Sequence, residues 1–177
     1  MRPAAQALGW LQPIRFQQGI IVQDDIPDKF RAATSDDYVF SDQVGHLLRR
    51  AYQRHVAIFQ QTISDSQLTA AQFVVLCAIR KFVSCSLSEI VKVTAIDQAT
   101  MRGIIERLKA REVISVSHDA HDRRKVLVSL TPAGEDIIQA TVPAAFAVSE
   151  ATFGNLNPAE RVAIVYLLRK MSGIEEE

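Results

Sequence analysis

The spacing of apolar residues changes at Val113, and this change restricts the possible folds more than any other feature. Before it, apolar side chains recur at intervals of three and four residues, at Met101, Ile104, Ile105 and Leu108. That spacing predicts the buried stripe of a helix. After it, residues 113–117 and 126–130 alternate between two faces, which predicts two strands. Because the link between them, HDAHDRRK, is polar and charged, the two strands should form an antiparallel hairpin directly after the helix.

Capping signals predict two more helices just before this one. Thr69 with Gln72, and Ser86 with Glu89, have the spacing of a capping box, in which each side chain satisfies a backbone amide that the first helical turn leaves unpaired. Asp97 can cap the helix that contains the apolar stripe. The last two of these helices, joined by residues 94–96, would form a helix-turn-helix with the hairpin beside it as a wing.

Longer helices are predicted outside this central segment. A long amphipathic helix begins near residue 41. Thr131-Pro132 and Asn157-Pro158 each place a capping residue before a proline, which is typical of a helix start. The predicted fold class is therefore mainly α (α+β), with a winged helix-turn-helix at residues 68–131 and helical regions at 41–67 and 132–177. Residues 1–40, with three prolines and no helical period, are predicted to be an N-terminal arm.

Charge, hydropathy and cysteine content argue against a membrane protein and against a disulfide-stabilised protein. Twenty basic residues balance twenty acidic ones, so any electrostatic function must be local. No apolar run approaches the ~20 residues of a membrane span and no signal core is evident, which favours a cytoplasmic location and no membrane partner. Two cysteines are too few for a disulfide framework. Cys77, in an apolar run, is predicted to lie in the core, and Cys85 is predicted to be the more exposed of the two.

Basic side chains concentrate on the two elements that should protrude, the helix after Asp97 and the hairpin loop. A duplex can meet such a pair, because a helix enters the major groove while a wing contacts the flanking backbone or the minor groove. Gln98, Thr100 and Arg102 point away from the apolar stripe near the start of the helix, where a recognition helix contacts bases and phosphates. The other candidate DNA contacts lie at the hairpin tip: Arg123, Arg124 and Lys125. Asp122 should pair with a neighbouring arginine and fix the geometry of the wing.

Other interpretations of the charged loop stay open at this point. A charged hairpin tip can simply be solvated. His118, Asp119, His121 and Asp122 could hold a metal ion, although a hairpin loop without a ligand from elsewhere in the fold is a poor cage. The sequence contains no nucleophile motif, phosphate-binding glycine loop or HExxH helix. We therefore predict neither an enzyme nor a cofactor, and no metal site.

Three segments together resemble the MarR family of bacterial transcriptional regulators. LTAAQFVVLCAI resembles the family's L-T-x-x-Q helix, and DQATMRGIIERLKAREVI resembles its recognition helix with the entry to the wing. DRRKVLVSLTPAGE resembles its D-x-R wing followed by L-T-x-x-G. The element order matches as well, so the resemblance extends over about residues 40–172.

The resemblance implies a homodimer in which the first helix and the last two helices of each chain form the dimerisation region. Two winged domains would then read a pseudo-palindromic duplex. Gln98, Thr100 and Arg102 match the family's recognition-helix contacts, Arg124 its wing-tip arginine, and Asp122 the structural partner of that arginine. Two positions depart from the family pattern. Glu112 stands where glycine is usual, and Gly103 stands where a longer polar residue is common.

Most members of the family respond to small phenols or aromatic carboxylic acids, which bind between the dimerisation helices and the winged domain. The candidate effector-binding residues here are His46, Arg50, Tyr52, Phe73 and Cys77. Tyr52 and Phe73 occupy apolar-stripe positions, where such residues more often belong to the core. The resemblance thus implies a dimeric repressor of a catabolic operon, released from its operator by an aromatic acid.

A thiol-based redox regulator on the same scaffold is the alternative. Cys85 lies just before the capped helix at Ser86, where the helix dipole could lower the pKa of a thiol. Against this hypothesis, the first long helix contains no cysteine, and the peroxide sensors of the family carry their reactive thiol there.

Overall fold

A computed structural model of the protein describes residues 34–119, 122 and 125–173. In chain order, the described helices and strands are α1 (Val44–Thr62), α2 (Ala70–Phe82), β1 (Ser84–Ser86), α3 (Leu87–Thr94), α4 (Gln98–Ala110), β2 (Ile114–His118), β3 (Val126–Leu130), α5 (Pro132–Phe153) and α6 (Pro158–Met171). The chain falls into two compact units that divide after Leu47. No helix in the described ranges is both long and apolar enough to cross a membrane.

The first unit is described from residue 34 to residue 47. This described part contains two single-turn 3-10 helices, Ser35–Asp37 and Phe40–Asp42, and the start of α1. The ring of His46 packs edge-on against Phe40, with 5.1 Å between the ring centroids. Residues 1–33, most of the predicted N-terminal arm, lie outside the described residues.

The second unit contains the predicted winged helix-turn-helix. Both predicted capping boxes are present, because Thr69 accepts from the amide of Gln72 and Ser86 accepts from the amide of Glu89. The turn between α3 and α4 passes through Ala95, whose φ of 54° is left-handed. The prediction of fold class, mainly α with a small antiparallel sheet, is confirmed.

The sheet has one strand more than the sequence predicted. β1, β3 and β2 lie side by side in that order, and both pairings are antiparallel. Cys85 of β1 and Val116 of β2 both face Val128 at the centre of β3. Because β3 is the middle strand, the short β1 ties the end of α2 to the wing.

The core of this unit forms where the helix-turn-helix, the sheet and α5 meet. Large, fully buried side chains come from the residue just before α2 and from α2, α3, α4, β3 and α5. They are Leu68, Val75, Leu76, Ile79, Ile90, Met101, Leu108, Val128, Ile138 and Val148. The apolar stripe predicted on α4 therefore does face inward, and the opposite side of α4 is exposed.

Glu112 makes the turn from α4 into β2 with a φ of 58°. The sequence places glutamate at this left-handed position although glycine adopts it at lower cost. Two hydrogen bonds hold the turn, because the Glu112 amide donates to the Lys109 carbonyl at 2.9 Å and the Glu112 carbonyl accepts from the Thr131 hydroxyl at 2.8 Å. The departure from glycine is therefore accommodated by the start of α5.

Candidate nucleic-acid interface

The N-terminal half of α4 presents polar side chains to solvent. Gln98, Thr100 and Arg102 are all exposed, whereas Met101 is fully buried between them. The three predicted contact residues thus lie on the solvent side of one helix, at the end that a recognition helix points into the major groove.

Asp97 fixes the first turn of this helix. Its carboxylate accepts a hydrogen bond from the backbone amide of Thr100 at 2.9 Å. This bond, strengthened by the Thr100 side chain, holds the pKa of the Asp97 carboxyl below its ordinary value. The charged form of Asp97 is therefore the form that caps the helix.

Replacing this cap should lower the melting temperature in a pH-dependent way. Asp97→Ala removes the acceptor for the Thr100 amide, so Tm at neutral pH should fall. Since the pKa is lowered on folding, the stabilisation is complete above the ordinary aspartate range and is lost as pH falls through the lower folded value. Thermal unfolding from neutral pH down to about pH 3 should show the gap between wild type and Asp97→Ala closing.

Asp97→Asn is the matched control for the cap. Asparagine also accepts from the amide but does not titrate, so this variant should stay close to wild type in Tm at neutral pH. A gap between wild type and Asp97→Ala that stays constant with pH would contradict the assignment of the carboxylate as the cap.

The wing is closed by backbone hydrogen bonds at its tip. The Asp119 amide donates to the Lys125 carbonyl at 2.9 Å, and the Lys125 amide donates to the Asp122 carbonyl at 2.8 Å. The Asp122 amide in turn donates to the Asp119 carboxylate at 3.1 Å. Two of the predicted contacts, Arg123 and Arg124, lie outside the described residues, as does His121 of the metal alternative. The role of Asp122 as a partner for a wing arginine stays a prediction.

Lys125 lies at the base of the tip and is exposed. Hydrogen bonds from the hydroxyl and amide of Ser86 hold the pKa of Glu89 below its ordinary value, and the charge of Lys125 adds to the effect. The charge of Lys125 therefore offsets part of the negative charge of Glu89 at the start of α3.

Arg111, at the C-terminal end of α4, is a contact that the sequence reasoning missed. Its Nη2 donates to the Asp65 carboxylate at 2.5 Å, and the two side chains are largely shielded from solvent. Asp65 also accepts from the amide of Gln67 at 3.0 Å. The pair therefore attaches the loop between α1 and α2 to the C-terminal end of α4.

The five candidate effector-binding residues occupy different environments. His46 lies in the first unit against Phe40, and Arg50 and Tyr52 are exposed on α1. Phe73 is half-buried, with its ring 5.9 Å from that of Phe59, and Cys77 is half-buried beside the core. The two α2 residues are thus brought to one edge of the core.

A shallow cavity of about 120 Å³ opens between the end of α1 and α5. It is lined by Thr62, Ile63, Ser64, Asp65, Ile137, Ala140, Thr141 and Ala144. None of the five candidate effector residues lines it. No local pattern predicts this cavity, because its two walls come from segments about 75 positions apart.

The prediction that Cys85 is the more exposed thiol is wrong. Cys85 is 1% exposed in β1, with its Sγ 3.9 Å from the Val128 carbonyl, whereas Cys77 is only half-buried. Burial raises the pKa of Cys85, and the negative charge of Glu89 raises it further. Strand pairing thus covers the thiol that the redox hypothesis needed to be accessible and acidic.

A helix-turn-helix whose second helix presents polar residues, followed by a β-hairpin wing, defines a winged-helix DNA-binding protein. The MarR family model matches residues 68–126, the segment from the start of the helix-turn-helix into β3. In Pseudomonas putida, the HTH-type transcriptional repressor NicR is 57% identical over 139 residues, which cover 78% of this chain and 88% of NicR. The chain belongs to the MarR family of transcriptional regulators.

Solved structures agree with this assignment. BpsR of Bordetella bronchiseptica is 70% identical to this chain, with a TM-score of 0.73, and its structure was determined to explain how 6-hydroxynicotinic acid regulates its DNA binding. The match covers 77% of this chain and 98% of that one. A mutant MarR of E. coli complexed with operator DNA is 28% identical with a TM-score of 0.68, over 76% of this chain and 98% of that one. The matched proteins are DNA-binding regulators rather than enzymes.

Proposed function

We propose that the protein is a homodimeric repressor of a catabolic operon, released from a pseudo-palindromic operator when a small aromatic acid binds. The observation that carries the proposal is the exposed polar start of α4 on a MarR-family fold. The name of NicR supports repression, and the description of BpsR supports control by an aromatic acid.

Unburied apolar side chains on α6 support the homodimer. No residue of α6 is buried in the single chain. Seven large apolar side chains on it are exposed: Val162, Ile164, Val165, Tyr166, Leu167, Leu168 and Met171. A helix that is apolar without being covered usually marks an association surface. We assign residues 41–67 and 132–177 to dimerisation and residues 68–131 to DNA binding.

Operator contacts are proposed at two places. Gln98, Thr100 and Arg102 would meet bases and phosphates in the major groove. The wing would contribute a second set, Arg123, Arg124 and Lys125, with Arg124 in the minor groove and Asp122 as its brace.

The effector proposal names a hydroxylated pyridine carboxylic acid as the first compound to test, because BpsR responds to 6-hydroxynicotinic acid. Arg50 could pair with the ligand carboxylate, since guanidinium and carboxylate form two parallel hydrogen bonds. The other proposed contacts are His46, Tyr52, Phe73 and Cys77.

Titration of the protein on DNA with this acid tests the proposal. The operator should first be obtained by selecting a duplex from a randomised palindromic library with the wild-type protein. 6-Hydroxynicotinic acid should then raise Tm of the free protein and release the duplex, whereas nicotinic acid, which lacks the hydroxyl, should act only at higher concentration. Arg50→Ala should keep DNA affinity but need more ligand for release.

Each outcome bears on a different part of the proposal. A wild-type protein that enriches no sequence would refute operator binding. A selected duplex that stays bound at every concentration of the acid would refute 6-hydroxynicotinic acid as the effector, and the same titration with other aromatic acids and phenols would then test the wider class.

A further inference from the structure

Gly103 and Arg107 lie one helical turn apart on α4, and the Arg107 side chain lies over Gly103. A Cβ placed on Gly103 would lie 3.6 Å from Nη2 of Arg107 and, apart from the adjacent backbone of the helix itself, would meet no other atom within 4 Å. In a helix, long side chains point back toward the N-terminus, which carries the guanidinium of residue 107 one turn nearer the start of the helix. The cation therefore sits above the second turn of the recognition helix rather than the third.

Within the described residues, the charge of Arg107 has no partner. Arg107 is exposed, and in the part of the chain that the structure describes its side chain forms no ion pair and no hydrogen bond. The contrast is Arg111, one turn further on, whose guanidinium is held by Asp65. An exposed guanidinium without a carboxylate partner retains its capacity for two parallel hydrogen bonds.

Gly103 lies on the side of α4 that points away from the core. With about 100° per residue, the direction opposite Met101, Ile104 and Leu108 falls among residues 99, 102, 103 and 106. A glycine at the middle of this face leaves space above the helix backbone, because it has no side chain. The place that a side chain of residue 103 would fill is taken instead by the guanidinium of Arg107.

We propose that Arg107 is a specificity-determining residue for the operator, and that its guanidinium reads a guanine edge from the position above Gly103. Arginine pairs with N7 and O6 of guanine through two hydrogen bonds, which is the geometry that an unpartnered guanidinium on a groove-facing surface can supply. The inference rests on the proposed function, because it needs α4 to enter the major groove.

Sequence selection with wild type and Arg107→Ala tests this role. From one randomised palindromic library, the wild type should require a guanine at one symmetric position in each half-site. Arg107→Ala should lose that preference, keep the others, and bind the wild-type duplex about 10- to 100-fold more weakly. Lys109→Ala is the control, because it removes one positive charge from another exposed position of α4. It should change the affinity for the duplex about threefold or less and leave the base preference unchanged.

Substitutions at Gly103 test the placement of the guanidinium. Gly103→Ala adds a methyl group at ordinary contact distance and should keep the preference. Gly103→Leu should displace the guanidinium of Arg107 and abolish the guanine preference. Because glycine is a poor helix former, Gly103→Ala and Gly103→Leu should both unfold at a higher temperature than wild type. The losses of affinity caused by Gly103→Leu and Arg107→Ala should not be additive, because both variants remove the same contact.

The possible failures are distinct. If the wild type enriches no sequence, the proposed function is wrong. If the wild type selects an operator and Arg107→Ala selects the same one, or loses affinity equally for every duplex, Arg107 reads no base and the inference is wrong while DNA binding stands. Retention of the guanine preference in Gly103→Leu would also overturn it.

Discussion

Gly134→Ala should destabilise the protein by about 3 kcal/mol or more, because its Cβ would overlap the backbone of Val113. A Cβ at this position would lie 2.1 Å from the carbonyl oxygen of Val113 and 3.2 Å from Cδ2 of Leu130. The Val113 carbonyl already accepts from the amide of Thr131 at 3.2 Å, and the Thr131 hydroxyl accepts from the Gly134 amide at 3.2 Å. Relief of the clash must therefore separate the start of α5 from the entry to the wing.

Gly103→Ala is the matched control for this substitution. It makes the same chemical change in a helix where the added methyl meets only ordinary contact, so it should stabilise by up to about 1 kcal/mol. Urea denaturation followed by circular dichroism gives both values. A Gly134→Ala protein within about 0.5 kcal/mol of wild type, the range of neutral surface changes, would show that α5 does not approach Val113 so closely.

Local signals were sufficient for the helices and the wing. Thr69, Ser86 and Asp97 all cap the helices that the sequence assigned to them, since a cap depends only on residues within one turn. β1 was missed because three residues, Ser-Cys-Ser, show no period of their own. Its pairing with β3 joins positions about 43 residues apart, and such a contact is fixed by tertiary packing.

In the candidate site too, the features that depend on local patterns were predicted and those that depend on tertiary contacts were not. The apolar stripe defines the inner side of α4, so the exposure of Gln98 and Arg102 followed from it. The Arg111–Asp65 pair could not be found, because two oppositely charged residues 46 positions apart carry no local pattern. Cys85 was placed wrongly for a related reason, because the strand that covers its thiol was not recognised.

Leu167→Glu should convert the proposed dimer to a monomer. Leu167 is 52% exposed on α6 in the single chain, within the apolar surface assigned to dimerisation. Burying a leucine contributes about 1.5–3 kcal/mol. A twofold interface contains each position twice, and burying an unpaired carboxylate costs several kcal/mol more. Together these effects should weaken dimerisation by at least about 1000-fold, which corresponds to about 4 kcal/mol.

Loss of the dimer should carry through to the operator, because each monomer meets one half-site and loses the gain from binding two linked sites. Sedimentation velocity should give a single monomeric species, and affinity for the selected duplex should fall by about 100-fold or more. Arg169→Gln is the matched control, because it also makes α6 one charge unit more negative but removes no apolar surface. The Arg169→Gln protein should stay dimeric. No residue of α6 is buried in the single chain, so the winged helix-turn-helix of Leu167→Glu should keep its fold and its circular dichroism spectrum. A folded Leu167→Glu protein that sediments as a dimer would place the interface elsewhere, and the exposed apolar side chains of α6 would then need a different partner.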